Sequence, residues 1–285
     1  MLCVSGFYVC YSQDQSFKYL GQTEPDESPK VFYLPVIEWT AADRIAISSD
    51  YKEIYFTEFS GSEKKYARRI KYFKNDGTTW KGPFLFCENC ECPLFSPDNN
   101  MLMLNGDYYQ RTDTGWTTPI RFLKENKVVH YLQYTNPGNY YFLSYVNDST
   151  TDVFRVVINE QDTITEPMGF NMKSTVQNDY YIDPDEEYIL FSLNEKEIEC
   201  YGGKDIFIRF RINDGWTDPV NLGQHINVEN SRSRYGMCMS PDKKYMFYTQ
   251  IDEGKVRIFW VKVDELFLEL KEKYRAEGYK LYHLN

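Results

Sequence analysis

Along the chain, short runs of alternating apolar residues recur behind one small set of turn residues. Ser49-Asp50 stands before Glu-Ile-Tyr-Phe, Ser96-Pro-Asp98 before Met-Leu-Met-Leu, and Asn136-Pro-Gly138 before Tyr-Tyr-Phe-Leu. Asp183-Pro-Asp185 then leads into Tyr-Ile-Leu-Phe, and Ser240-Pro-Asp242 into Tyr-Met-Phe-Tyr. Proline presets φ at the first central position and Asp, Asn or Gly accepts the tight corner, which is hairpin-turn chemistry. Taken at 50, 98, 138, 185 and 242, the turns lie 48, 40, 47 and 57 residues apart. Repetition at that period predicts a repeat architecture.

A second signature follows each of the first four turns: Thr79-Trp-Lys-Gly-Pro83, Gly115-Trp-Thr-Thr-Pro119, Ile164-Thr-Glu-Pro167 and Gly215-Trp-Thr-Asp-Pro219. A further strand lies between turn and signature, as in residues 152–158 and 205–211. Each unit therefore holds four short strands, the pattern of a propeller blade. The 220 residues from Asp43 to Val263 give 44 per blade for five blades. Six blades are the alternative, but the first 40 residues hold too few strand signals. The fifth unit has three strands, then a helical stretch behind Asp264 with Leu266, Phe267, Leu270 and Tyr274 on one face. Its missing strand is predicted to come from residues 31–39, closing the ring and removing a free sheet edge. The fold class expected is all-β: a five-bladed propeller over residues 19–285, closed by an N-terminal strand, with a short C-terminal helix.

Composition narrows the function. Aromatic residues make up 17% of the chain and suit half-buried pleated surfaces. Net charge is −10, so a general nucleic-acid binder, which draws affinity from Lys and Arg, is not expected. No apolar run approaches the ~18 residues of a membrane span. Residues 2–11 match the length of a signal-peptide apolar region but lack a basic flank, so residues 1–18 read as a truncated signal peptide or an N-terminal strand or arm. Seven cysteines are present, and Cys87, Cys90 and Cys92 form the one cluster. It can supply three thiolates to zinc, form a disulfide or hold plain loop cysteines; structural zinc wants a fourth ligand.

Ser240-Pro-Asp-Lys-Lys-Tyr-Met-Phe-Tyr resembles the S-P-D-G-K-x-L-x-F repeat of the TolB-type, WD-repeat-like β-propellers. Gly202-Gly-Lys-Asp-Ile-Phe with residues 214–223 looks like the longer form in bacterial envelope proteins, and Leu20-Gly-Gln22 with Pro29 and Phe32 is similar to the lead-in before their first blade. The resemblance spans roughly residues 19–270. It implies a periplasmic or envelope-associated, monomeric binding platform for a protein, peptide or glycan, and it says little about activity. The family often places a carboxylate eight positions before the turn Asp. Here that register gives Ala42, Cys90, His130, Gln177 and Arg234, none acidic, and the next gives Asp43, Glu91, Tyr131, Asn178 and Tyr235.

The alternative class is a glycan hydrolase, which needs two carboxylates ~5–9.5 Å apart. Only Asp43 and Glu91 have a suitable address. No G-x-S-x-G elbow, phosphate loop, H-E-x-x-H or EF-hand string is present, and no cofactor is implied. Of three histidines, His283 falls in the C-terminal tail, His225 in a loop, and His130 at an inner-strand start. Trp80, Trp116 and Trp216 recur at one place per unit, which favours blade packing over sugar stacking. Residues 183–187 offer acidic groups to a cation, and residues 194–203 form the longest insert. The residues favour a non-catalytic binding propeller whose ligand meets His130, Gln177, Arg234, Tyr131, Asn178 and Tyr235.

Overall fold

The computed structural model describes residues 17–283 apart from 36, 63–64, 124–127, 149, 159–162, 171, 174–178, 194–199, 214, 229–230, 232 and 278–280. Five antiparallel sheets follow one another along the chain as five blades. Blade 1 runs from its inner strand Ala41–Ile47 through Glu53–Ser62 and Lys65–Asn75 to the outer strand Trp80–Glu88. The other inner strands are Pro93–Phe95, His130–Tyr134, Asp179–Ile182 and Ser233–Met239. Blade 5 takes its outer strand from the N-terminal side, as expected. The pairing is shorter than the sequence suggested: Lys30–Val31 joins Lys255–Lys262, with Lys30 opposite Trp260 and Val31 opposite Phe259. The helix occupies Asp264–Glu277 and lays Phe267 against Tyr188 of blade 4. The C-terminal stretch around His283 is no loose tail, because Leu281–His283 pairs with Gly215–Thr217 of blade 4.

Alternation along the strands puts apolar side chains on both faces of each blade, so the cores lie between blades. Ile45, Ile54, Leu190, Phe210, Phe247 and Trp260 join blades 1, 4 and 5, whereas Tyr141, Val153, Phe191 and Phe207 join blades 3 and 4. Each fully buried side chain of this kind contributes about 1.5–3 kcal/mol. The repeated tryptophans pack as the repeat predicts. Trp116 donates to the Tyr55 hydroxyl of blade 1 at 3.1 Å, and Trp216 is 2% exposed and meets Phe170 edge-on.

The turn chemistry is carried by side chains. Ser48, Ser96 and Ser240 each donate to the Asp two residues on, at 2.7, 2.6 and 2.6 Å. That Asp also accepts the N–H of Lys52, Asn100 or Lys244. These bonds pin where each inner strand ends, and so where every residue upstream of the turn sits relative to the channel.

Candidate functional site

The inner strands reach the channel mouth through a bulge. Four residues before the residue that opens each turn stand Arg44, Cys92, Tyr131, Asp179 and Gly236. Arg44, Cys92, Tyr131 and Gly236 have φ of 46°, 59°, 54° and 65°, the left-handed region. An extra residue there breaks the ladder in blades 1, 3 and 5. The freed N–H groups are taken up by the preceding blade: Arg44 donates to Thr249 Oγ1 at 3.1 Å, Cys92 to Thr57 Oγ1 at 3.1 Å and Tyr131 to Asn105 Oδ1 at 3.2 Å. Thr57, Asn105 and Thr249 are the polar residues that close the strings EIYFT, MLMLN and YMFYT.

Arg44 crosses the channel. Its Nη1 is bonded to Asp179 of blade 4 and its Nη2 donates to the Tyr131 hydroxyl of blade 3 at 3.0 Å. The guanidinium lies 4.4 Å from the Tyr131 ring centre and 5.1 Å from that of Tyr235. Asp179 also accepts the Gly236 N–H at 2.7 Å. Glycine is required beside it: a Cβ on Gly236 would come within 2.8 Å of Arg44 Cγ and 3.2 Å of Thr249 Oγ1. Below this crossbar a cavity of about 30 Å3 remains, room for about one water.

Around the crossbar the predicted residues take different places. Tyr131 and Tyr235 stand at the mouth, the latter donating to Asp43 Oδ2 at 3.1 Å. Asp43 is 5% exposed and its Oδ1 is buried without a hydrogen-bond partner. Burial raises the Asp43 pKa, with Arg44 and Arg68 pulling the other way. Glu91 is paired with Arg68 and accepts from Asn105 at 3.2 Å. His130 is half-buried, its Nδ1 has no hydrogen-bond partner, and burial together with Arg44 lowers its pKa, which keeps it neutral at pH 7. It touches the Tyr145 ring edge-on at 6.4 Å, and Tyr145, Val146 and Val128 are exposed beside it.

Arg234 sits elsewhere. It is fully buried and donates to Gln250, Asp205 and the Val228 and Lys204 carbonyls, so it ties blade 5 to blade 4. Gln177 and Asn178, the insert at 194–199, Cys3 and Cys10 lie outside the described residues. Cys87 and Cys90 form a disulfide, and Cys92 is a free, buried thiol that burial pushes up to about 12. The acidic run near 185 meets the chain's own cation, Lys243, at 2.9 Å from Asp183 and 2.5 Å from Asp185. Among the described residues no group of three or more His, Cys, Asp or Glu is placed to hold a metal, and no helix is long and apolar enough to cross a membrane.

Sequence reasoning did not reach Arg44 and Asp179. Counting eight back from the turn Asp assumes an unbroken ladder, and the bulge adds a residue to it. The third turn is also one residue shorter, since Thr135 donates to Asn139 where Ser48 donates to Glu53.

No family model matches the chain, and no curated protein matches it either. Solved structures similar to it include TolB from Acinetobacter baumannii, at 16% identity and a TM-score of 0.49, covering 78% of this chain and 54% of that one. The catalytic domain of a GH62 α-L-arabinofuranosidase from Coprinopsis cinerea matches at 10% identity and 0.49, over 84% and 95%. A sialidase of Trypanosoma rangeli matches at 10% and 0.46, over 82% and 46%. The chain thus spans about half the length of the TolB chain it matches.

Proposed function

We propose that this chain is a non-catalytic, TolB-like binding propeller of the cell envelope, monomeric, that recognises a protein, peptide or glycan at the mouth where its inner strands begin. The observation that carries this reading is the pairing of charge at that mouth. Arg44 is bonded to Asp179, Asp43 to Tyr235, and Arg68 to Glu91. What faces outward is a hydrogen-bonding and aromatic surface rather than a matched acid and base. His130, Tyr131, Tyr235 and the neighbouring Tyr145 supply it. Aromatic rings with a polar tip are effective recognition groups. Arg234 is assigned a supporting role, holding blade 5 in place.

A second reading is favoured by one feature: the buried, unpartnered Oδ1 of Asp43 with its raised pKa is what a general acid for glycan cleavage requires. Binding arrays of glycans and peptides probed with the wild type and with His130→Ala test recognition at this mouth. Binding that the variant loses without a change in melting temperature supports recognition at this mouth. Binding untouched by His130→Ala removes the mouth from consideration.

A further inference from the structure

The opposite, turn-bearing end of the channel holds a chamber of about 270 Å3 to which neither reading gives a role. All five blades build it. Leu94, Phe95, Tyr181 and Met239 give it apolar walls, and Gln133 and Asn136 stand among its polar ones. Its inner end shares Leu94, Gln133, Tyr181 and Cys238 with the small cavity under the Arg44–Asp179 crossbar, so the chamber is a dead end. Its volume falls just below the ~300 Å3 at which pockets for drug-sized ligands begin. One apolar side chain with a few backbone atoms is the size that fits.

Two opposite charges, Asp185 and Lys243, line the same chamber. Asp183 beneath them is fully buried, which anchors Lys243 at 2.9 Å. Although burial works against it, hydrogen bonds to Asp185 and Asp183 hold Lys243 above its ordinary pKa, so it is charged. The Asp185 side chain is 50% exposed, and an exposed pair of this kind contributes only about 0–1 kcal/mol. An ammonium has three donors and a carboxylate about four acceptor sites, so both groups have capacity beyond their present partners.

We propose that this chamber binds a zwitterionic apolar α-amino acid. Its ammonium meets Asp185, its carboxylate meets Lys243, and its side chain enters the apolar walls. A second carboxylate on the side chain would lose its water there without meeting a second cation, since Lys243 is the one cation in the chamber's described lining. A ligand with only one charge would leave either Asp185 or Lys243 without a new contact.

The test is saturation-transfer NMR and calorimetry on the full chain with L-leucine and L-phenylalanine, against L-glutamate, 3-phenylpropionate and phenethylamine. L-Leucine and L-phenylalanine are expected to bind, and L-glutamate is not. The two analogues lacking one charge are expected to bind at least about tenfold more weakly, the loss of one charge-assisted contact. Ser49→Trp at the exposed lip should abolish binding with an unchanged circular dichroism spectrum. Asp185→Asn should weaken L-phenylalanine about tenfold and leave 3-phenylpropionate unaffected. The proposal is overturned if neither amino acid binds the wild type at millimolar concentration, if an analogue equals L-phenylalanine, or if Ser49→Trp binds normally. His130→Ala lies at the other end and should leave L-phenylalanine binding intact, so failure here leaves the mouth reading untouched.

Discussion

At the scale of single residues, Gly236 decides whether the channel can be closed. Its φ of 65° and the 2.8 Å approach to Arg44 Cγ leave no room for a side chain. Gly236→Ala is expected to cost about 1–3 kcal/mol, from left-handed strain and a displaced Arg44. Denaturant unfolding measures it, and a loss below a few tenths of a kcal/mol would mean that Arg44 is not held as described. Asp43 gives a pH signature. Burial is the main cause of its raised pKa in the folded chain, with Arg44, Arg68, Asp179 and Tyr235 facing it. A group whose folded pKa is raised contributes stability that is present at low pH and lost as pH climbs through the raised value. The wild type should therefore lose stability relative to Asp43→Asn as pH rises above about 4, the ordinary Asp value. Parallel stability profiles for the two proteins would rule out an unusual Asp43.

At the scale of elements, the N-terminal strand carries ring closure on few backbone bonds. Lys30–Val31 is two residues long, so side-chain packing must supply most of the attachment. Phe32, 2% exposed, meets Phe247 edge-on at 5.3 Å and Trp260 at 5.4 Å. Phe32→Ala is expected to destabilise by about 3–5 kcal/mol. Hydrogen exchange should then quicken first in Lys255–Lys262, the strand that loses its neighbour; uniform quickening in all blades would argue against a local clasp. This is also the level at which the sequence was most legible. A turn of the Ser-Pro-Asp type marks each blade and a Trp-x-x-Pro string marks three of them, because turn geometry and blade packing demand those residues wherever they occur. The strings EIYFT and YMFYT repeat for the same reason, their final threonines taking up bulge N–H groups. The bulges themselves left no such mark. Their left-handed positions hold Arg, Cys, Tyr and Gly, residues with no shared propensity, so the register at the mouth could not be counted from the turns. Arg234 was assigned to the rim for that reason, and the structure buries it against Asp205.

At the scale of the whole molecule, five blades around one axis leave a channel with two different ends. One end is crossed by Arg44 and surrounded by aromatic and hydrogen-bonding groups, and the other opens into a chamber with apolar walls and the Asp185–Lys243 pair. Charged groups at the first end are bonded across blades 1, 3, 4 and 5, so the same contacts that shape the mouth hold the ring closed. Asp179 and Glu91 are committed to ion pairs and are poor proton carriers, which leaves Asp43 as the carboxylate on which a catalytic reading would turn. The direct measurement is NMR of wild type and Asp43→Asn incubated with any glycan that the arrays identify, following ligand and product signals together over time. The account predicts ligand broadening without product in both proteins. Product formation by the wild type that Asp43→Asn abolishes would contradict it.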